Sequence, residues 1–203
     1  KKEGEWTEWY DNETVKKVYH YRKDLLDGSY AIHDSASGQK VIEKMYKKDK
    51  LAGIWKEWYL DNTIKLEHAY KDDNLHGISI DYDSTGKKDS DKRFKSGLKH
   101  GEWNFYNDNV ELVHVEIYED DLKNGLWYTK DLDTRDIHYE EYRDDKFIVR
   151  YTEHYYPNYQ LKEKYAYKDS LPHGKWIGYY KDGETKHVKR FEDGKKQGKW
   201  QFL

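Results

Sequence analysis

Short stretches of alternating apolar and charged residues run along the whole chain. One example is the stretch IKLE from residue 64 to residue 67. A period of two is typical of a β-strand with one face turned toward packed side chains. Turn-forming pairs interrupt these stretches at regular intervals: Asp11-Asn12, Ser37-Gly38, Asp61-Asn62, Thr85-Gly86, Asp108-Asn109, Pro157-Asn158 and Asp182-Gly183. They leave no uninterrupted stretch long enough for a typical helix, so the pattern predicts antiparallel hairpins.

The hairpin pattern repeats every 24 or 25 residues. A glycine opens each unit, except that Arg150 stands where the seventh glycine is expected; the glycines are Gly4, Gly28, Gly53, Gly77, Gly101, Gly125, Gly174 and Gly198. Self-similarity at a fixed period is the signature of an array. We therefore predict an all-β fold, an elongated single-sheet array of about eight antiparallel β-hairpin repeats. The array is expected to form one domain over residues 1–203, with units starting near 4, 28, 53, 77, 101, 125, 150, 174 and 198.

Three columns of aromatic residues follow the repeat glycine. The first lies two residues after it, with Ser79 and Thr152 as exceptions: Trp6, Tyr30, Trp55, Trp103, Trp127, Trp176 and Trp200. The second lies five residues after it: Trp9, Trp58, Tyr82, Tyr106, Tyr155 and Tyr179. The third closes the second strand of each hairpin: Tyr21, Tyr46, Tyr70, Phe94, Tyr118, Tyr142, Tyr167 and Phe191. We predict that the tryptophans of the first column and the rings of the third form the structural core, which aliphatic residues alone are too few to supply.

The spacing of the first two columns assigns them to faces of the sheet. Residues two and five positions after the glycine point to opposite sides of a strand unless a bulge intervenes. Rings are therefore expected on both faces.

The unit GIWKEWYLDN at residues 53–62, followed by a tyrosine, a short acidic turn and the next glycine, resembles the bacterial MORN-repeat variant. The resemblance covers essentially the whole chain and implies hairpin units of this length. Many proteins of that family are labelled YwqK-type antitoxins of toxin–antitoxin systems, and others are described as scaffolds or membrane-associated modules.

Two features depart from the family pattern. The turn after the third column usually carries a second glycine, but only Gly97 and Gly194 stand there; aspartates occupy the equivalent place at Asp24, Asp73, Asp121 and Asp145. Aspartate can adopt the left-handed conformation that such turns require. The seventh unit, near Arg150, lacks both its glycine and its first tryptophan, and we expect a local bend or change of twist near residues 146–156.

Nothing in the sequence points to catalysis, a metal or a cofactor. The chain has no cysteine, and no complete nucleophile, phosphate-binding or zinc-protease motif occurs. The notable side chains recur in columns, whereas an active site needs residues that converge at one place. His76, His100 and His173 each precede a repeat glycine, where a turn residue is favoured over a metal ligand. We therefore predict a non-enzymatic protein without a cofactor.

Two surfaces are candidates for binding a protein partner. The second aromatic column could form an open row of rings, since tryptophan and tyrosine dominate interface hot spots; the alternative is that long lysine and glutamate side chains cover it. Residues 107–146 hold 13 Asp or Glu against 5 Lys or Arg, a net charge of −8. An acidic stretch can attract a basic partner such as a toxin, and the alternative is a set of solvated turns. Its candidate residues are Glu119, Asp120, Asp121, Asp144 and Asp145.

These observations predict a protein-binding repeat module, with an antitoxin or immunity protein as its most concrete version. The alternative is a scaffold at a membrane surface or cell envelope, which only the basic stretch KHVKRFEDGKKQGK at residues 186–199 favours. A net charge of −3 and an acidic centre argue against nucleic-acid binding. We expect a cytoplasmic protein if it is an antitoxin, and an envelope or secreted protein if an N-terminal signal has been removed. The oligomeric state is left open.

Overall fold

The computed structural model describes residues 1–202, and these residues form an all-β structure. None of them forms a helix of the length and apolar character that a membrane span requires. The chain divides into two compact units, residues 1–111 and the residues from Leu112 onward, so the boundary falls inside the fifth repeat.

The N-terminal unit, residues 1–111, contains ten strands: β1 (Gly4–Trp9), β2 (Val15–Arg22), β3 (Leu25–His33), β4 (Lys40–Lys47), β5 (Lys50–Leu51), β6 (Gly53–Trp58), β7 (Ile64–Lys71), β8 (Asn74–Tyr82), β9 (Lys88–Lys95) and β10 (Leu98–Tyr106). The C-terminal unit contains ten more: β11 (Leu112–Glu119), β12 (Leu122–Lys123), β13 (Gly125–Lys130), β14 (Ile137–Arg143), β15 (Lys146–Tyr155), β16 (Leu161–Lys168), β17 (Leu171–Tyr179), β18 (Thr185–Glu192), β19 (Lys195–Lys196) and β20 (Gln201–Phe202).

Within each unit the strands pair in antiparallel fashion with their neighbours along the chain, except that β4, β11 and β18 each pair both with a two-residue strand and with the strand after it. The predicted hairpin is β1 with β2 in the first repeat, β6 with β7 in the third and β17 with β18 in the eighth. In these hairpins the repeat glycine faces the third-column ring, as Gly53 faces Tyr70 and Gly174 faces Phe191. The predicted all-β array of antiparallel hairpins is confirmed.

One face of each unit, which we call the tryptophan face, carries the first and third aromatic columns. Its rings contact one another across neighbouring strands: Trp127 lies 5.2 Å from Tyr118 and 5.0 Å from Tyr142, measured between ring centroids. The Trp127 indole N–H also donates a hydrogen bond to the Ile117 carbonyl (2.9 Å), and the Lys123 ammonium lies 4.5 Å from the ring centroid. Each ring is thus held by neighbouring repeats.

The predicted core is buried to very different degrees. Only Trp127 and Tyr118 are buried, whereas Trp6 is exposed, and the other predicted core rings are half-buried. Among residues 1–202, all five buried apolar residues belong to the C-terminal unit: Val115, Tyr118, Trp127, Val149 and Ala166. In the N-terminal unit, contacts between neighbouring hairpins take the place of a buried apolar core.

The acidic turns show what aspartate adds at a turn position that carries glycine at Gly97. Asp73 has a φ of 68°, and its backbone N–H donates to the Leu51 carbonyl (3.0 Å) while its Oδ1 accepts from the Leu51 N–H (2.8 Å). Gly97 makes only the first of these bonds, to the Leu75 carbonyl. The same two-way contact recurs at Asp24, Asp49 and Asp145. Through these two hydrogen bonds, each such aspartate connects its turn to the chain segment that precedes its own hairpin.

This arrangement separates two contributions to stability at Asp73. Asp73→Gly removes the side-chain hydrogen bond but accepts the left-handed backbone, so it should cost about 1 kcal/mol of unfolding free energy. Asp73→Ala also places a Cβ in the left-handed region and should cost about 1 kcal/mol more. Urea unfolding of both variants measures the two costs, and equal losses would contradict this account.

The seventh repeat differs from the others in its register. In the fourth repeat, Leu75 and Ser79 of β8 pair with Tyr70 and His68 of β7. Four residue steps on β8 therefore lie opposite two on β7, which makes a bulge of two extra residues around the repeat glycine. In β15 only one extra residue lies between Phe147 and Val149. Arg150 does not have a positive φ, unlike the repeat glycines. Its guanidinium forms an ion pair with the Glu140 carboxylate at 2.5 Å. Losing the glycine therefore shortens the bulge; the bend or twist change stays a prediction.

Candidate partner-binding surface

The second aromatic column lies on the face opposite the tryptophan face. In the N-terminal unit the Tyr82 hydroxyl donates to Glu67 (3.1 Å) and the Tyr106 hydroxyl donates to Asp91 (2.7 Å), while the Lys40 ammonium lies 5.1 Å from the Trp58 ring centroid. Trp9 is 61% exposed, whereas the other rings of the column are half-buried. Carboxylate or lysine side chains thus contact Trp58, Tyr82 and Tyr106, and partner binding by this column stays a prediction.

Four of the acidic candidates lie in turns of the C-terminal unit, and Glu119 is the last residue of β11. Asp120, Asp121, Asp144 and Asp145 all have positive φ, between 48° and 73°. Asp145 Oδ1 accepts a hydrogen bond from the Lys123 N–H (2.7 Å), which joins the two acidic turns, and Glu119 accepts one from the Asn124 amide (2.9 Å). All five candidates are exposed. The fold brings these acids together, although at least one of them also stabilises a turn.

A groove opens on the face of the C-terminal unit that lies opposite its tryptophan face. It consists of two adjoining cavities of about 420 and 510 Å³ that share Glu141, Tyr151 and Lys164. Val149 and Ala166 line the second cavity and are themselves buried. The groove combines apolar surface with charged groups, as binding sites usually do. Glu141, Glu153 and Lys164 line the first cavity, and Lys168 and Lys175 join Glu141 and Lys164 in the second. We call it the tyrosine groove.

Glu153 organises the charges of the tyrosine groove. Its carboxylate accepts hydrogen bonds from the Lys164 ammonium (2.6 Å), the Tyr155 hydroxyl (2.8 Å) and the Tyr139 hydroxyl (3.2 Å). Burial acts to raise the pKa of Glu153, but the hydrogen bonds from Lys164 and Tyr155 outweigh it and hold the pKa below its usual value. Burial, together with the negative charge of Glu153, raises the pKa of Tyr139 to about 12. At neutral pH the groove therefore holds an ionised Glu153 and a neutral Tyr139.

Glu141 is the more available carboxylate of the groove. It lines both cavities, and it accepts one hydrogen bond of 3.3 Å from the Tyr151 hydroxyl. The Lys164 ammonium, which pairs with Glu153, lies 6.0 Å from the Tyr151 ring centroid. A cation can therefore be held on this face by a carboxylate with a tyrosine ring nearby.

Sequence reasoning identified only part of this site. Tyr155 was a candidate and contacts the groove through Glu153, but Tyr139, Glu141, Tyr151 and Lys164 were missed. The available signal was that Tyr139 and Tyr151 belong to none of the three aromatic columns. Within residues 1–202 no group of three or more histidine, aspartate or glutamate side chains could hold a metal ion.

Comparison with known proteins adds no identification. No protein-family model matches the sequence, and no curated protein matches it.

Proposed function

We propose that this chain is a non-enzymatic binding module that captures a basic protein partner in the tyrosine groove of its C-terminal unit. The main support is the first cavity of this groove, where Tyr139, Tyr151 and the carboxylates of Glu141 and Glu153 lie beside apolar surface. An antitoxin or immunity protein that neutralises a basic toxin is the most concrete form of this proposal, and it depends on the resemblance to the bacterial MORN-repeat variant.

Charge around the groove also supports the proposal, and within the groove the support comes from Glu141 and Glu153 of the first cavity, since lysines line the second. The stretch with a net charge of −8 includes both acidic turns and the groove residues Tyr139 and Glu141. A field of one sign raises the rate at which an oppositely charged protein is captured. Tyrosine rings then supply contact area at a small cost in conformational entropy. A lysine or arginine of the partner would meet Glu141 beside Tyr151.

The test is co-expression with the product of the neighbouring gene, scored by co-purification and by rescue of growth if that product is toxic. Glu141→Lys should weaken the complex about tenfold or more, because it places a like charge against the basic partner. Glu184→Lys is the matched control, since Glu184 is exposed in a turn of the same unit, away from the groove. Equal binding by both variants would exclude the groove.

The same experiment has an arm for the scaffold alternative. Lys195 and Lys196 are exposed in β19, and the Lys196 ammonium lies 4.3 Å from the Trp200 ring centroid. Sedimentation with anionic vesicles that fails after Lys195 and Lys196 are changed to glutamate, with no protein partner captured, would support a membrane-surface scaffold instead.

A further inference from the structure

A gap in the repeat pattern opens a cavity on the tryptophan face of the C-terminal unit. Four residues after the repeat glycine, other repeats carry side chains that join neighbouring strands; Glu8, for example, accepts a hydrogen bond from Tyr19 (2.9 Å) and pairs with Lys17 (3.4 Å). In the eighth repeat this position is Gly178. Its register neighbours are Glu163 on β16 and His187 on β18. The side chain that would lie between these two residues is missing.

The resulting cavity has a volume of about 300 Å³. The polar groups that line it include Glu163, His187 and Lys189, and Tyr165 and Trp176 supply aromatic surface. Within residues 1–202, neither Glu163 nor His187 makes a hydrogen bond or an ion pair, although the His187 ring lies 6.3 Å from the Phe202 ring between centroids. The Lys189 ammonium makes no ion pair there and lies 5.3 Å from the Trp200 ring centroid. Three polar groups therefore converge on a cavity with hydrogen-bonding capacity to spare.

A chain of hydrogen bonds orients the Tyr165 hydroxyl beside this cavity. His154 Nδ1 lies 2.5 Å from the Asp136 carboxylate, and His154 Nε2 contacts the Tyr165 hydroxyl. We assign the Nδ1 proton to the bond with Asp136, which leaves Nε2 to accept from the Tyr165 hydroxyl. Burial raises the pKa of Tyr165, so this hydroxyl is neutral near pH 7. Its oxygen then accepts hydrogen bonds from a ligand.

These hydrogen bonds among Asp136, His154 and Tyr165 form where the seventh repeat lacks its tryptophan. Thr152 stands in the first-column position and lies opposite Tyr165 in the register. His154 follows two residues later on the same face and contacts the ring of Tyr165, with 5.1 Å between centroids. The seventh and eighth repeats both depart from the repeat pattern, and both departures place residues at the same cavity.

The mixture of groups indicates the ligand. Glu163 only accepts hydrogen bonds and Lys189 only donates them, while burial lowers the pKa of His187, so its neutral ring does both. The negative charge of Glu163 and the positive charge of Lys189 cancel, so the cavity favours a neutral ligand. The Glu163 carboxylate would also repel an anionic ligand. A sugar ring offers hydroxyl groups that donate and accept together with C–H faces that pack on aromatic rings.

We propose that this cavity, lined by Glu163, Tyr165, Trp176, His187 and Lys189, is a binding site for a neutral saccharide. Trp176 and Tyr165 supply its aromatic lining; the Trp176 N–H is bonded to the Ala166 carbonyl (2.9 Å), and its ring also contacts Tyr167 and Phe191, at 5.2 and 4.8 Å between centroids. This proposal does not depend on partner binding in the tyrosine groove, which opens on the other face of the same unit and shares Lys164 and Ile177 with this cavity.

The test is titration of the full chain, labelled with ¹⁵N, with glucose, galactose, N-acetylglucosamine, maltose and cellobiose, followed by amide and indole resonances. At least one sugar should shift the Gly178 amide and the Trp176 indole signal, and inorganic phosphate and glucose 6-phosphate should bind at least tenfold more weakly. No shift with any sugar at millimolar concentration, shifts confined to other residues, or equal binding of phosphate would overturn the proposal.

Variants separate binding from folding. Glu163→Gln should weaken sugar binding about tenfold, because it replaces a charged acceptor, while Glu184→Gln should leave binding unchanged. Gly178→Ala should abolish binding, since a Cβ there would lie 2.4 Å from His187 Cε1 and push the ring into the cavity. Thermal unfolding shows whether each variant folds. If Gly178→Ala does not fold, Glu163→Gln decides, and unchanged affinity in that variant would contradict the site.

Discussion

Trp127→Ala should destabilise this protein by about 3–5 kcal/mol, the largest loss expected for a single substitution here. Trp127 is 7% exposed and packs between Tyr118 and Tyr142, with Lys123 over its ring. Truncation leaves a cavity in a structure that is one sheet thick in this region. It also leaves the Ile117 carbonyl without its hydrogen bond from the indole. Urea unfolding followed by far-ultraviolet circular dichroism measures the loss.

Two control variants, Trp9→Ala and Trp127→Phe, separate the effect of burial from that of the indole hydrogen bond. Trp9→Ala removes the same side chain at a site that is 61% exposed and should cost only a few tenths of a kcal/mol. Trp127→Phe keeps a ring but deletes the indole N–H, so it should cost about 1 kcal/mol for the hydrogen bond, plus a small packing loss. A similar cost for Trp9→Ala and Trp127→Ala would mean that ring stacking on the tryptophan face is not what stabilises the array.

The second large effect is expected at Asp81, where a polar network replaces the missing tryptophan of the fourth repeat. The Asp81 carboxylate accepts hydrogen bonds from His68 (2.8 Å), Ser90 (3.0 Å) and Lys92 (3.0 Å). Ser79, in the tryptophan position, and Ser90 are both fully buried. Asp81→Ala should cost about 2–3 kcal/mol at pH 7, because it leaves Ser90 without its acceptor and Lys92 without its counter-charge.

The cost of Asp81→Ala should depend on pH. The hydrogen bond from His68, together with Lys92, lowers the pKa of Asp81 in the folded state, against the opposing effect of burial. A carboxyl group with a lowered pKa stabilises the fold above its unfolded pKa of about 4 and loses that contribution as pH falls through the folded value. The difference between wild type and Asp81→Ala should therefore shrink steadily as the pH falls below about 4.

Asp89→Ala provides the control for this pH series. Asp89 is exposed on β9, the strand that also carries Ser90 and Lys92. Its substitution should change stability by less than about 0.5 kcal/mol at every pH. A difference between wild type and Asp81→Ala that persists unchanged to pH 2 would show that the carboxylate charge does not stabilise the network.

Most of the fold could be predicted because it depends on short sequence patterns that recur in every repeat. The period of 24 or 25 residues, the alternation within strands and the turn pairs all act between near neighbours in the chain. In six repeats the repeat glycine lies directly opposite the third-column ring, as Gly53 lies opposite Tyr70. The left-handed turns at residues such as Asp73 were anticipated for the same reason, since turn geometry depends on two or three residues.

The candidate sites could not be predicted to the same extent, because each depends on cross-strand register. Glu163 and His187 flank Gly178 only after the bulges of β17 have set which residues lie opposite one another. Burial shows the same dependence: Trp127 and Trp6 occupy equivalent positions, yet one is buried and the other exposed.

The sequence alone determined the repeat, the hairpins and the two faces of the strands. These follow from periodicity and local conformational preference, which act within a single unit. Only the tertiary structure decided which rings are buried, how Asp81 and Asp136 are satisfied, and where the groove and the cavity open. Those outcomes arise where repeats depart from the common pattern, and the effect of a departure depends on the side chains that neighbouring strands place around it.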